Sequence, residues 1–199
     1  MLASRSPARL RLLRDAGIDP VVVVSGADES SEDGLDTAAL VALLAERKAA
    51  MVSALRPGDL VLGCDSMLDL DGAALGKPAT ADEAVSLWGR LAGRDAVLYT
   101  GHRLIDGQSG RQASGVAATI IRFGEPTDAE VAAYAATGEP LGLAGGFSID
   151  GRGAAFVDGI DGDPGNVIGL SLPLLRRLLA ELGVAITDLW RPTSEPTPA

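Results

Sequence analysis

Apolar residues recur at helical spacing in several stretches of this chain and crowd into short continuous runs between them. In "LASRSPARLRLLRDAG" a remnant of strand runs straight into a helix: Ser6 suits an N-cap, Pro7 the first helical position, Leu10 and Leu13 share a face, and Gly17 marks the stop. "VVVV" at 21–24 reads as a buried parallel strand. Helical periodicity returns from about Asp36 to Leu55 and ends at Pro57. "DLVLGC" predicts the next strand, and "ADEAVSLWGRLAG" a helix closed by Gly93. "AVLYTGHRLID" and "GVAATIIRF" flank the turn segment "GQSGRQAS" and predict an antiparallel pair. "TDAEVAAYAATG" is a helix capped by Thr127 with an acidic first turn and Gly138 at its end, "AAFVDGI" a strand, and "SLPLLRRLLAELG" a final helix.

Strands and helices alternate in the first half and a hairpin fills the middle, so the pattern is α/β with a mixed central sheet flanked by helices. There is no internal repeat and no linker between independent domains. One domain over residues 1–190 is expected, with 191–199, "RPTSEPTPA", as a disordered tail.

Composition narrows the function. A chain of 199 residues with 47% hydrophobic content can fill a substantial core. No run approaches the roughly 18 apolar residues of a membrane span, and the N-terminus does not read as a leader, so a cytoplasmic protein is expected. The net charge of −10 repels polyanions, which argues against a nucleic-acid polymer or an anionic membrane as partner. A phosphate-bearing ligand would need a local cluster of cations or a metal. With one histidine and one cysteine no zinc-type ligand set can form, whereas carboxylates suit a hard divalent ion such as magnesium or manganese.

Several segments could carry chemistry. Ser4, Ser6 and Arg9 surround a helix start, where unpaired N–H groups attract anions; Ser6-Pro7 also suffices merely to begin a helix. Asp28 and Glu29 follow a strand, and Lys48 sits within a helix as a surface charge would. "VLGCDS" places Asp65 where a strand leaves the core, either to orient water or a metal or to cap the following turn. "LGKP" is not a phosphate loop of the Walker type, because the spacing is one residue short and Pro78 stands where a hydroxyl is required, but Lys77 could still aim a cation at phosphate. "MLDLDGAAL" mimics the loop of haloacid dehalogenase-type phosphatases with Asp69 as nucleophile; Ala73 replaces the expected Thr, and Asp71-Gly72 is a preferred hairpin turn. Nothing in the sequence joins Cys64 to His102, and a buried, inert thiol is the expectation for Cys64. "AGGFSIDGRG" and "DGDPGNVIGL" read as loops lining something.

Taken in order, "LASRSPARLRLL", "DES", "RKA", "LGCDSMLDLDGAALGKP", "AGRDAVLYTGH" and "YAATGEPLGLAGGFSIDGRGAAFVDGIDGDPGNVIGLSLPLL" resemble the Maf family of nucleoside triphosphate pyrophosphatases from Leu2 to about Leu182. The resemblance implies two lobes around a cleft, similar to inosine triphosphate pyrophosphatases, and metal-dependent hydrolysis of a nucleoside triphosphate to monophosphate and pyrophosphate. It assigns Asp65 as proton acceptor, Ser4, Arg9, Lys48 and Lys77 as phosphate-binding, and Glu29 with Asp65 as metal-associated acids. It also suggests a homodimer. A nucleotide-binding regulator of cell division with little turnover is the alternative. The chain departs from the family pattern in four places. Ala8-Arg9 replaces paired arginines, Ser66 a common Thr, Phe147 a frequent Tyr, and Asp150 the Gln of pyrimidine-selective relatives. All four lie at or near positions that the resemblance associates with base choice, and Ser66 and Asp150 are carried as substrate-binding.

Overall fold

The computed structural model describes residues 1–28 and 34–191. Its N-terminal half runs β1 (Leu2–Ala3), α1 (Pro7–Asp15), α2 (Thr37–Leu55), β2 (Leu60–Leu70), β3 (Ala73–Leu75) and α3 (Ala81–Leu91). Then follow β4 (Asp95–Asp106), β5 (Gln112–Phe123), α4 (Asp128–Ala136), β6 (Val157–Asp161), α5 (Pro164–Ile168) and α6 (Leu172–Glu181). The helix starts are set by local chemistry: Ser6, Asp36, Thr80, Thr127 and Ser171 each accept a backbone N–H from the first turn, and Glu130 completes a capping box with Thr127.

The sheet is mixed, in the order β1-β2-β4-β5-β6, with β3 also on β2. Strand β4 occupies one edge of β2 from Leu60 to Asp69. The other edge is shared by β1, which pairs in parallel with Leu62 and Gly63, and by β3, which pairs with Leu68, Asp69 and Leu70. Between Gly63 and Leu68 that edge of β2 is left open. The β2–β3 connection is the expected Asp71-Gly72 turn, with φ of 56° and 82°.

Period-two alternation sends odd and even residues of β2 to opposite faces. On the odd face lies α2, drawn close because Gly63 and Gly101 carry no side chain. A Cβ at Gly63 would come within 2.3 Å of the Ala45 carbonyl oxygen, and one at Gly101 within 2.2 Å of that of Val41. On the even face two separate apolar cores form. Leu62, Cys64 and Leu104 pack with Leu13 of α1 and with Leu174, Leu175, Leu178 and Leu179 of α6. Leu68, Leu70, Leu98 and Ile121 pack with Trp88 and Leu91 of α3 and with Val131 and Tyr134 of α4. Between the two cores the sheet presents Ser66 and its cross-strand partner Thr100, and the expected cleft opens there.

Three expectations are corrected. "VVVV" is not a buried strand: only Val22 bridges to Leu2, and Val21 and Val24 are 56% and 53% exposed, because this segment lies outermost on the sheet. Strand β2 does not stop after Cys64 but continues to Leu70, so Asp65 is in mid-strand. In "AAFVDGI" the strand begins only at Val157, after a 3₁₀ turn over Arg152–Phe156. At the C-terminus Arg191 still bonds to the Gly17 carbonyl and to Asp19, and the rest of the segment read as a tail lies outside the described residues.

Candidate active site

Beside the open edge of β2 lies one cavity, lined by Ser66 of β2 and by Lys48 of α2. The cavity holds about 630 Å³ and takes its walls from the chain between Ala3 and Arg9, from Val24–Ala27, from Lys48, Ser66 and Lys77, and from Gly142–Phe147 and Val167–Gly169. The two glycine-rich segments therefore line it, as their composition suggested. Among the described residues the walls carry four cations, Arg5, Arg9, Lys48 and Lys77, and no carboxylate.

Arg9 is built into the floor, 8% exposed. Its Nε donates to the Gly169 carbonyl at 2.7 Å, Nη1 to Ser4 Oγ at 3.1 Å and Nη2 to Ser66 Oγ at 2.8 Å. Ser66 Oγ lies 2.9 Å from Thr100 Oγ1, and Thr100 donates its own proton to the Asn166 carbonyl at 3.1 Å. Each hydroxyl has one proton, so Ser66 must donate to Thr100 and accept from Arg9. The chain of bonds thus has one direction, and it fixes the guanidinium to both cores. Ser4 Oγ accepts from Arg9 and, at 3.2 Å, from the Ser6 amide, which leaves its proton free to donate into the cavity.

On the other face of β2, Asp65 Oδ1 accepts from Lys48 Nζ at 2.6 Å, with Asp65 5% and Lys48 6% exposed. The close seating of α2 on Gly63 and Gly101, the latter paired directly with Asp65, brings Lys48 down to this depth. Asp65 stands behind the cation rather than on the wall, and its Oδ2 is left for a water or a metal ion.

Of the residues singled out from the sequence, Ser4, Arg9, Lys48, Ser66 and Lys77 line one cavity, with Asp65 joined to it through Lys48. Asp150 is not brought into that wall: its carboxylate is taken by Arg11 and Ser148, so the expectation that it binds substrate gains no geometric support. Glu29 lies outside the described residues. Asp69 spends both oxygens on structure, accepting from the Thr37 hydroxyl at the start of α2 and from the Gly72 amide in the turn, which fits no nucleophile. Sequence reasoning missed Thr100, Asn166 and Arg5. For the first two no local signal exists, since they reach the site only through strand pairing. Arg5, between Ser4 and Ser6 in a segment already under suspicion, could have been found.

Cys64 and His102 do stand opposite each other on β2 and β4, a juxtaposition made only by strand pairing. They form no reactive dyad. Burial pushes the thiol up to about 11 and the imidazole down to about 4. Both ring nitrogens are also taken: Nδ1 faces the Thr100 carbonyl at 3.0 Å and so carries the proton, while Nε2 accepts from the Ser171 amide at 3.0 Å. The unfolded imidazole binds a proton below about 6.5 and the folded one only below about 4. As pH falls through that window the unfolded chain gains a proton that the native state refuses, so stability falls by up to about 3 kcal/mol. In His102→Gln this part of the slope should vanish. Melting curves of both proteins between pH 7 and pH 4 check it, and equal slopes would remove the histidine from the account.

Among the described residues no group of three or more metal-ligating side chains occurs, and no helix is long and apolar enough to cross a membrane. A single buried carboxylate oxygen does suit a magnesium-type ion, which keeps several waters and completes its shell with substrate phosphate oxygens.

The family model for "Maf-like protein" matches residues 1–182. A protein of Streptomyces coelicolor named nucleoside triphosphate pyrophosphatase is 60% identical over 198 residues, covering 98% of this chain and 96% of its own. Proteins of the same name from Salinispora tropica and Mycobacterium sp. strain JLS are 53% and 50% identical, covering 100% and 96% of this chain and 91% and 97% of their own.

Proposed function

The chain belongs to the Maf-like protein family, and from that premise we propose that the cavity binds the triphosphate of a nucleoside triphosphate and that the protein hydrolyses it to monophosphate and pyrophosphate. One observation carries the reading. In a chain of net charge −10, the large cavity gathers four cations and, among the described residues, no acid. A polyanion is the ligand that such a wall stabilises.

In the reaction a water oxygen bonds to the α-phosphorus as the bond from that phosphorus to the α–β bridging oxygen breaks, and pyrophosphate departs with the electron pair. In this reading Asp65 orients the water and takes its proton through Oδ2, while Lys48 holds the carboxylate by Oδ1. Arg9, locked by three acceptors, and Lys77 neutralise charge that grows on the leaving group, and because Arg9 is fixed before substrate arrives it needs no reorganisation during the reaction. Asp65, with phosphate oxygens of the substrate, would hold a magnesium or manganese ion, which when bound supplies further charge neutralisation. Glu29 is the second acid that the family resemblance supplies. A cytoplasmic setting and a homodimer belong to the same proposal, the first from where such substrates abound and the second from resemblance alone.

The test is a panel of nucleoside triphosphates with magnesium or manganese. Pyrophosphate and monophosphate should appear in equal amounts. Release of orthophosphate alone would refute the α–β cut, and tight binding without turnover under either metal would refute hydrolysis in favour of a regulatory role.

A further inference from the structure

We propose that Arg5 is a substrate-binding residue of this cavity, a guanidinium at its mouth that captures the triphosphate and supplies from position 5 a cation that Ala8 does not. The inference rests on the reading of the cavity as a triphosphate site.

The four cations of the wall fall into two kinds. Arg9 and Lys48 are buried at 8% and 6% exposure and fully engaged, Arg9 with Gly169, Ser4 and Ser66, Lys48 with Asp65. Arg5 and Lys77 are exposed, and neither makes a side-chain hydrogen bond or an ion pair among the described residues. Among the described residues the side chains of Arg56, Arg90, Arg122, Arg176 and Arg177 are also without such a bond, but none of them lines the cavity. Arg11, Arg14, Arg94, Arg103, Arg152 and Arg191 each lie against a carboxylate, as expected in a chain with 27 acids and 17 bases. Arg5 escapes that neutralisation while sitting beside a wall that offers no acid among the described residues.

Its place in the chain explains what it can reach. Ser4 and Ser6 turn their hydroxyls to the start of α1, where Ser4 meets Arg9 and Ser6 caps the helix. Arg5, between them, stays exposed while still lining the cavity. Ala8 lines the same cavity but offers only a methyl group. A planar guanidinium can clamp two phosphate oxygens at once, and an unpaired one at the lip also draws an anion in against the field of an acidic chain. The buried pair would then act mainly on the bond-breaking step and the exposed residue mainly on capture.

The experiment measures three proteins: wild type, Arg5→Ala, and Arg5→Ala with Ala8→Arg. Steady-state rates are taken across a range of ionic strength, together with the affinity for a triphosphate analogue whose α–β bridging oxygen is a methylene. Arg5→Ala should keep its melting temperature, since it breaks no bond in the fold. It should raise KM and the analogue Kd by about 5- to 20-fold, leave kcat within about twofold, and flatten the fall of kcat/KM with salt. Ala8→Arg in that background should restore part of the affinity and of the salt dependence. Unchanged KM, Kd and salt dependence in Arg5→Ala, with wild type active, would overturn the assignment of Arg5 alone. If wild type released no pyrophosphate yet Arg5→Ala lost analogue affinity, the hydrolytic reading would fail and the assignment of Arg5 would stand.

Discussion

Replacing Asp65 by asparagine should lower kcat by roughly 10³-fold, within the 10² to 10⁴ that a positioned general base contributes, and should also lower the melting temperature, because the buried Lys48 ammonium loses its counter-charge. The substitution is isosteric, and the amide oxygen can still accept a bond from Lys48 Nζ, which lies 2.6 Å from Oδ1. What disappears is the second carboxylate oxygen, with its capacity to take a proton from water. KM should rise far less than kcat falls, because the triphosphate is held by Arg9 and the other cations of the wall. Asp69→Asn is the matched control. It weakens the Thr37 and Gly72 bonds, costing about 1 kcal/mol of stability, and should leave turnover close to wild type. Pyrophosphate release and thermal melting, measured on both variants, decide the matter. A large loss in Asp69→Asn with an active Asp65→Asn would transfer the chemistry to the other aspartate.

How much of this was legible in the sequence depended on whether the controlling physics was local. The caps at Ser6, Thr127 and Ser171 and the turn at Asp71-Gly72 were readable, because the residues that satisfy each helix end or force φ positive sit within four positions of it. The valine run at 21–24 is not legible as a rim segment, because an apolar run looks alike whether a strand lies at the centre of a sheet or on its rim; only the pairing partners tell, and they are Leu2 on one side and solvent on the other. The placement of Asp65 failed for a related reason. A carboxylate after a short apolar run reads locally as the end of a strand, whereas β2 runs on for five more residues past Asp65, and the edge beside it is open because β1 pairs no further than Gly63 and β3 no earlier than Leu68.

The site shows the same division. Its cations could be proposed from the order of motifs, yet the reason they converge lies in contacts no motif contains. Gly101, far from Lys48 in sequence, admits α2 to the depth at which that lysine meets Asp65. Thr100 and the Asn166 carbonyl fix the direction of the hydroxyl chain that holds Arg9. Asp150, which the resemblance puts at a base-selecting position, turns instead to Arg11, a neighbour that only the packing of α1 beside the 148–150 loop provides. Residues that act through a backbone kink or cap announce themselves locally; those that act through the pairing of β2 with β4 do not.

The largest effect on stability should come from Lys48→Met, and its meaning depends on a second substitution. Lys48 and Asp65 are a buried pair, their side chains only 8% and 7% exposed, so solvent screening does little to soften the loss of one partner. Removing the ammonium leaves Asp65 a charge in the core, which should destabilise the protein by about 3–5 kcal/mol and lower turnover by roughly 10²-fold or more as the base loses its orientation. Lys48→Met combined with Asp65→Asn replaces the ion pair by two neutral groups of similar shape, and much of the lost stability should return, because the penalty belongs to the uncompensated charge rather than to the missing bond. Activity should behave otherwise: the double variant should fall within about tenfold of Asp65→Asn, since orientation of an absent base has no further value. Denaturant unfolding and single-turnover pyrophosphate release on the four proteins of this cycle measure both couplings. Losses of stability that simply add, together with losses of rate that multiply, would show the lysine and the aspartate acting independently, and the account of Lys48 as the residue that positions the base would fall.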